Sequence, residues 1–92
     1  DFGYAMALQN DGKILVAGYS SNGSNYDFAV VRYNPDGMLD TGFGSGGKVI
    51  TPVGSSDDFG RAMALQNDGK ILVAGYSSNG SNYDFAVIRL WP

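Results

Sequence analysis

The chain has 92 residues, a formal net charge of −3, and no cysteine or histidine. Its six cationic residues are scattered and no apolar run approaches the roughly 20 residues of a membrane-spanning helix, so neither nucleic acid nor a membrane is an expected partner. Without His or Cys, a Ser-His-Asp triad, a Cys-His pair and an imidazole zinc site are excluded within one chain. We therefore expect no enzyme activity, no catalytic or metal-binding residue and no cofactor.

The composition predicts an all-β protein. All nine acidic residues are Asp, so the straight-chain helix former Glu is missing, while 14 glycines separate short runs rich in Val, Ile, Phe and Tyr. Three strands are predicted first, and they are Tyr4–Gln9, Lys13–Ser20 and Asp27–Tyr33. Asp11-Gly12 between the first two predicts a type I′ hairpin turn, and the polar segment 21–25 predicts a second hairpin loop.

A Gly-rich connection and a fourth strand follow. Residues 34–47 contain turn signals from Asn34-Pro35-Asp36-Gly37 onward, and Lys48–Thr51 is predicted as a strand that ends at Pro52. The connection is long enough to cross a four-stranded sheet, because its reach of up to roughly 46 Å exceeds the ~15 Å width of such a sheet. We therefore expect it to leave one sheet and begin the next.

The chain is an internal repeat. Residues 1–35 recur as residues 58–92 with 31 of 35 aligned residues identical. The four differences are Tyr4 against Arg61, Val31 against Ile88, Tyr33 against Leu90 and Asn34 against Trp91. The predicted organisation is a first unit of three strands at 1–35, a connection at 36–47, and a second unit of four strands at 48–92.

Antiparallel units that are apolar on both faces predict the blades of a β-propeller, since each blade packs between two neighbours. The alternative is a small β-sandwich, in which the two sheets pack only on each other. Two blades with nearly identical end faces present a head-to-tail contact, which closes into a ring when the rotation allows. We therefore predict a homo-oligomer of about three or four identical chains.

The sequence also resembles a known repeat. The pattern Ala-Leu-Gln-Asn-Asp-Gly-Lys-Ile-Leu-Val-Ala-Gly occurs at 7–18 and 64–75, and Asp-Phe-Ala-Val-Val-Arg-Tyr-Asn-Pro-Asp-Gly-Met-Leu-Asp-Thr-Gly-Phe-Gly occupies 27–44. Both resemble the bacterial delta-sixty repeat, a tandem unit of large secreted or surface proteins. The resemblance implies propeller blades, carries no catalytic residues, and is consistent with secretion or a cell-surface location. The high identity between copies indicates recent amplification or a designed, symmetrised sequence.

Two sets of candidate residues follow. A repeated loop combines Tyr faces with amide and carboxylate groups that suit a carbohydrate or a peptide. Its candidate ligand-binding residues are Tyr19, Asn22, Asn25, Tyr26, Asp27, Tyr76, Asn79, Asn82, Tyr83 and Asp84. The expected packing residues between blades are Phe28, Val30, Phe43, Phe85, Val87 and Trp91. Asn34, Asp36 and Asp40 cluster like calcium ligands, but the closing Glu of a calcium loop is missing.

Two functional hypotheses remain open from the sequence. The first is a structural module that assembles with copies of itself and has no catalytic activity. The second is a lectin-like or peptide-binding propeller that presents one loop site in each blade. Multivalent binding to a glycan or peptide array would favour the second hypothesis over the first.

Overall fold

The computed structural model describes residues 2–54 and 56–91, and Asp1, Ser55 and Pro92 of the predicted units lie outside the described residues. The described residues form seven β-strands, and they contain no helix that is long and apolar enough to span a bilayer. The strands are β1 (Phe2–Leu8), β2 (Ile14–Ser21), β3 (Tyr26–Tyr33), β4 (Lys48–Thr51), β5 (Asp58–Leu65), β6 (Ile71–Ser78) and β7 (Tyr83–Leu90). The prediction of an all-β fold is confirmed.

The strands form two antiparallel sheets. The first sheet has the order β1-β2-β3-β4 and the second has the order β5-β6-β7. Neighbours in sequence are neighbours in each sheet, so each sheet is an antiparallel meander. Two such meanders that pack face to face are the arrangement of adjacent propeller blades.

The structure corrects the assignment of the fourth strand. We expected Lys48–Thr51 to begin the second unit and the first unit to lack a strand. Instead β4 pairs with β3, with Thr51 opposite Phe28 and Lys48 opposite Val31. The first sheet therefore has four strands and the second has three, so the expected strand counts are reversed.

Local hydrogen bonds explain this outcome. Residues 34–47 fold back along β3, where Asp40 N donates to Arg32 O at 2.9 Å and Arg32 N donates to Gly47 O at 3.0 Å. Gly47 has a φ of +95°, which only glycine adopts without strain, and Phe43 is buried in the core. The chain reverses direction within residues 34–47 and leads into β4, so this segment does not cross to the next sheet.

The chain crosses to the second sheet between Thr51, where β4 ends, and Asp58, where β5 begins. Six residues reach about 20 Å when extended, which exceeds the ~14 Å that separates the first and fourth strands of a sheet. The buried carboxylate of Asp58 holds the crossing, because it accepts hydrogen bonds from Val53 N at 2.9 Å and Gly54 N at 3.2 Å. Ser77 Oγ donates to the same carboxylate at 2.5 Å. The chain thereby enters the second sheet at β5.

The β1–β2 turn also differs from expectation. Gly12 N donates to Gln9 O at 3.0 Å and Gln9 N donates to Lys13 O at 2.8 Å, and Gly12 has a φ of +86°. No non-glycine residue of the described chain has a positive φ, whereas a type I′ turn requires two such positions. The loop instead places one glycine in the left-handed region, and Asp11 Oδ1 accepts from Lys13 N at 3.1 Å.

The core lies between the two sheets. It contains the apolar side chains of Leu15, Ala17, Phe28 and Val30 from the first sheet, Phe43 from the 34–47 connection, and Ile71, Val73 and Ala86 from the second sheet. Full burial of each large side chain contributes about 1.5–3 kcal/mol to stability. A Cβ at Gly60 would lie 2.6 Å from the carbonyl oxygen of Gly18 in the facing sheet. Glycine is therefore needed where the two sheets approach most closely.

Candidate assembly surface

The polar groups of the two repeated loops hold the loops together. Asn22 Nδ2 donates to Asn25 Oδ1 at 2.8 Å and to Asp27 Oδ2 at 3.1 Å, and Asn22 Oδ1 accepts from the N–H groups of Ser24 and Asn25. The second copy repeats this arrangement: Asn79 Nδ2 donates to Asn82 Oδ1 at 2.7 Å and to Asp84 Oδ2 at 3.4 Å. These candidate ligand-binding amides thus already have intramolecular partners.

The candidate tyrosines belong to a belt of aromatic rings at one end of both sheets. Phe59 packs against Tyr19 and Tyr26 of the first sheet, with ring centroids 4.7 and 5.6 Å apart. The same ring packs against Tyr76 and Tyr83 of its own sheet at 5.2 and 6.3 Å. Phe59 therefore joins two tyrosine pairs, one from each repeat.

Phe2, the repeat equivalent of Phe59, contacts only the tyrosine pair of its own sheet. It lies 5.1 Å from Tyr19 and 6.2 Å from Tyr26, and it remains half exposed. Conversely, among the described residues the rings of Tyr76 and Tyr83 contact Phe59 and each other but no second phenylalanine ring. One end of the belt therefore presents a phenylalanine, Phe2, and the other end presents a tyrosine pair, Tyr76 and Tyr83. These are the same two components that Phe59 and the pair Tyr19 and Tyr26 bring together between the two sheets.

A pocket of about 700 Å³ marks the open end of the belt. Its lining combines aromatic rings with one cation and one carboxylate, from Phe59, Arg61, Tyr76, Tyr83, Asp84 and Phe85. The equivalent space on the first sheet is the place where Phe59 packs against Tyr19 and Tyr26. The pocket on the second sheet is thus equivalent to the space on the first sheet that the ring of Phe59 occupies.

Arg61 is the one change of charge between the two copies. Its guanidinium lies 4.2 Å from the centre of the Tyr4 ring, and Nη2 donates to the Tyr76 hydroxyl at 2.6 Å, which raises the pKa of Arg61 above its ordinary value. Tyr4 and Arg61 both stand at a β-bulge, between Gly3 and Ala5 and between Gly60 and Ala62. Sequence reasoning missed this contact, although the Tyr-to-Arg difference within an otherwise conserved strand was its signal.

The pocket is part of a larger apolar surface on the second sheet. The residues of this second-sheet open face are Ala62, Ala64, Leu72, Ala74, Phe85 and Val87. Val87 is 65% exposed, whereas Val30 at the equivalent position is fully buried. Phe85 is likewise fully exposed, whereas its equivalent Phe28 is fully buried. The difference arises because the second sheet covers β3 while no described residues cover β7.

The first sheet has a complementary open face. Its residues are Met6, Val16, Ala29, Val31 and Ile50, which share one side of the sheet by strand register. Met63, Val73, Ala86 and Ile88 are the equivalents in the second sheet, where they lie in or against the core. The first-sheet open face therefore has nearly the same side chains as the surface that the second sheet buries against the first.

The expected packing residues divide between these surfaces. Phe28, Val30 and Phe43 lie in the core between the sheets, and Phe85 and Val87 lie on the second-sheet open face. Trp91 is 74% exposed within one chain, with Lys70 Nζ 4.1 Å from the ring centre. Its packing against another chain stays a prediction.

Carboxylates in the turns and connections act as local hydrogen-bond acceptors. Asp57 Oδ1 accepts from Tyr26 N at 3.0 Å, and Asp36 Oδ1 accepts from Met38 N at 2.9 Å. Asp40 pairs with Arg32, with Oδ2 2.9 Å from Nε. Residues 2–54 and 56–91 contain no group of three acidic side chains placed to hold a metal ion.

Comparison with known proteins agrees with this architecture. A family model described as "Domain of unknown function (DUF5122) beta-propeller" matches residues 9–43 and 66–92, which together are more than half of the chain. No curated protein matches the sequence. The two matched segments correspond to the two repeats, and each includes the second and third strands of one sheet. The chain therefore belongs to the DUF5122 β-propeller family.

Proposed function

We propose that the chain is a non-catalytic structural module that assembles head-to-tail with identical chains into a closed ring. The observation that carries the proposal is the opposite burial of identical residues, because Phe28 is buried and Phe85 is exposed at equivalent positions. An exposed apolar face of this kind is typical of an interaction surface.

The repeat itself supplies the partner surface. Because the first-sheet open face resembles the buried face of the second sheet, a second copy can offer to β6 and β7 the contact that β5–β7 already make with the first sheet. Such a contact is heterologous, so it continues from chain to chain until the ring closes. Rings of about three or four chains with two blades each would have about six to eight blades, which lies within the roughly four to eight blades of typical propellers.

The aromatic belt gives the contact its register. In a ring, Phe2 of the next copy enters the pocket between Tyr76 and Tyr83, as Phe59 enters between Tyr19 and Tyr26 within one chain. Tyr4 of that copy also comes beside Arg61, which can contact it as it contacts its own Tyr4 at 4.2 Å. Aromatic pairs of this geometry contribute about 0.5–1.5 kcal/mol each beyond their buried area.

The test is the molar mass in solution, measured by light scattering after size exclusion. We expect three or four times the 9.7 kDa of one chain. Val87→Asp places a charge on the second-sheet open face and should release single chains. Met38→Asp is the matched control, since Met38 is similarly exposed but lies in the 34–47 connection. A stable single chain at micromolar concentration for the unaltered protein would overturn the proposal.

The pocket supports a second candidate function, which is carbohydrate or peptide binding. Aromatic faces with one Arg and one Asp in a space of about 700 Å³ suit such ligands. The two functions compete, because Phe2 of a second copy and a ligand would occupy the same space. If a glycan or peptide binds, it should therefore lower the molar mass; binding that leaves an assembled ring intact would place the ligand elsewhere.

We further propose that the two units are delta-sixty type repeats, symmetrised by design or by recent duplication. The identity of 31 of 35 residues supports this origin. The resemblance to secreted and surface proteins likewise supports an extracellular role for a natural parent sequence.

A further inference from the structure

The outer edges of β3 and β7 differ although their sequences are nearly the same. β3 pairs on its outer side with β4 over Phe28–Val31 and Lys48–Thr51. Within the described residues β7 pairs with β6 alone, so the backbone of its outer edge has no partner strand. An unpaired edge presents a row of N–H and C=O groups that an extended peptide can pair with.

A side chain beside this edge also lacks its partners. Arg32 of the first sheet pairs with Asp40 at 2.9 Å and lies 4.5 Å from the centre of the Phe43 ring. Arg89, its repeat equivalent, is exposed and makes no ion pair with the described residues. Both missing partners belong to the same segment that supplies β4.

We propose that the outer edge of β7 is a binding site for an extended peptide with the sequence features of residues 36–51. The peptide pairs antiparallel with β7 in the register of β3 and β4, so that its Thr lies opposite Phe85 and its Lys opposite Ile88. Its Asp, eight residues before that Lys, pairs with Arg89, and its Phe covers the guanidinium. The occupant is a strand of this repeat type.

A second copy of the chain is a poor source of this strand. The only segment of that sequence in each copy is already paired with its own β3 and anchors Arg32 through Asp40. The site also differs from the ring contact, since it uses the edge of the second sheet while ring closure uses the open faces. Peptide binding is therefore testable whether or not the ring forms.

The test uses a fluorescein-labelled peptide of residues 36–54 and the full chain, with binding followed by anisotropy. We expect saturable binding of one peptide for each chain. Amide hydrogen exchange should slow at residues 85–88 of the chain when the peptide is bound. Asp40→Asn in the peptide and Arg89→Gln in the chain should each weaken binding about threefold to tenfold.

The combination of both changes decides the pairing. If Asp40 of the peptide contacts Arg89, the two changes remove the same contact. The Asp40→Asn peptide should then bind the Arg89→Gln chain about as tightly as each singly changed pair binds. Three outcomes would overturn the proposal. The first is no binding at protein concentrations up to about 100 micromolar, and the second is slowed amide exchange outside β7 because the peptide displaces β4. The third is that the losses of binding free energy from the two changes are additive. Concentration-dependent protection of β7 that persists without peptide in Val87→Asp, which cannot form the ring, would also overturn it, because a second copy would then hold the edge.

Discussion

β3 and β7 are identical at six of their eight aligned positions and differ only by Val31 against Ile88 and Tyr33 against Leu90, yet their side chains lie in opposite environments. The segment Tyr-Asp-Phe-Ala-Val is identical in both strands, but its Phe and Val are buried in β3 and exposed in β7. Local sequence determines that each segment is a strand, and the packing of a neighbouring sheet determines which of its faces is buried. The second repeat thus exposes the surface that the first repeat buries against its neighbouring sheet.

The largest expected effect comes from truncating the same phenylalanine in the two repeats. Phe28→Ala removes a fully buried ring and should lower the free energy of unfolding by about 3–5 kcal/mol. Phe85→Ala should change the stability of the diluted single chain by less than about 0.5 kcal/mol, because the ring is fully exposed. Urea denaturation at low protein concentration measures both values. Equal losses in diluted single chains would contradict the opposite environments of β3 and β7.

A matched glycine pair sharpens the comparison at the closest approach of the two sheets. A Cβ at Gly60 would lie 2.6 Å from the carbonyl oxygen of Gly18, and a backbone atom cannot move aside cheaply. At Gly3 the nearest atom is Val16 Cγ1 at 2.9 Å, which belongs to a side chain. Gly60→Ala should therefore destabilise the chain by about 1–3 kcal/mol, and Gly3→Ala by less than about 1 kcal/mol.

Thermal unfolding of single chains measures this difference, and the ring adds a second readout. If the next copy packs as the second sheet does, Gly3 of that copy faces the Gly75 backbone of this chain. Gly3→Ala should then weaken assembly more than it weakens folding. A Gly3→Ala protein that assembles normally would show that the contact between chains differs from the contact between sheets.

The sequence predicted the elements well and their grouping less well. Strand alternation and turn glycines located all seven strands to within a few residues, because these signals are local. The assignment of β4 failed because chain length alone cannot distinguish a crossing from a reversal. The reversal depends on Arg32 meeting Asp40 and on Gly47 in the left-handed region, which become visible only when β3 and the 34–47 connection are placed together. The pocket beside Arg61 escaped notice for the same reason.

Acid should affect the two repeats differently through Arg32 and Arg89. Burial alone would raise the pKa of Asp40, but the hydrogen bond from Gly42 N and the contacts with Lys13 and Arg32 outweigh it and lower that pKa. A carboxyl with a lowered folded pKa stabilises the fold above its unfolded pKa of about 3.9, and this contribution is lost as the pH falls through the lowered value. Stability should therefore decline below about pH 4.

Paired variants assign this acid sensitivity. Arg32→Gln should make the decline shallower, because it removes one of the contacts that lower the pKa of Asp40. Arg89→Gln should leave the decline unchanged, since Arg89 makes no ion pair with the described residues. Urea midpoints measured between pH 2.5 and 6 provide the comparison. An equal change in both variants would indicate that Asp40 is not the group responsible.

The smallest effect concerns the position where the repeats diverge most, Asn34 in the first copy and Trp91 in the second. In a single chain Trp91 is 74% exposed and contacts Lys70, so its fluorescence should resemble that of tryptophan in water. Packing against a neighbouring chain would remove water from the indole ring and shift the emission to shorter wavelength. The shift should appear on assembly and disappear in Val87→Asp, which keeps Trp91 but loses the contact. If the assembled protein keeps a water-like spectrum, Trp91 lies outside the contact between chains, and the exposed end of β7 remains free for the strand that pairs with its edge.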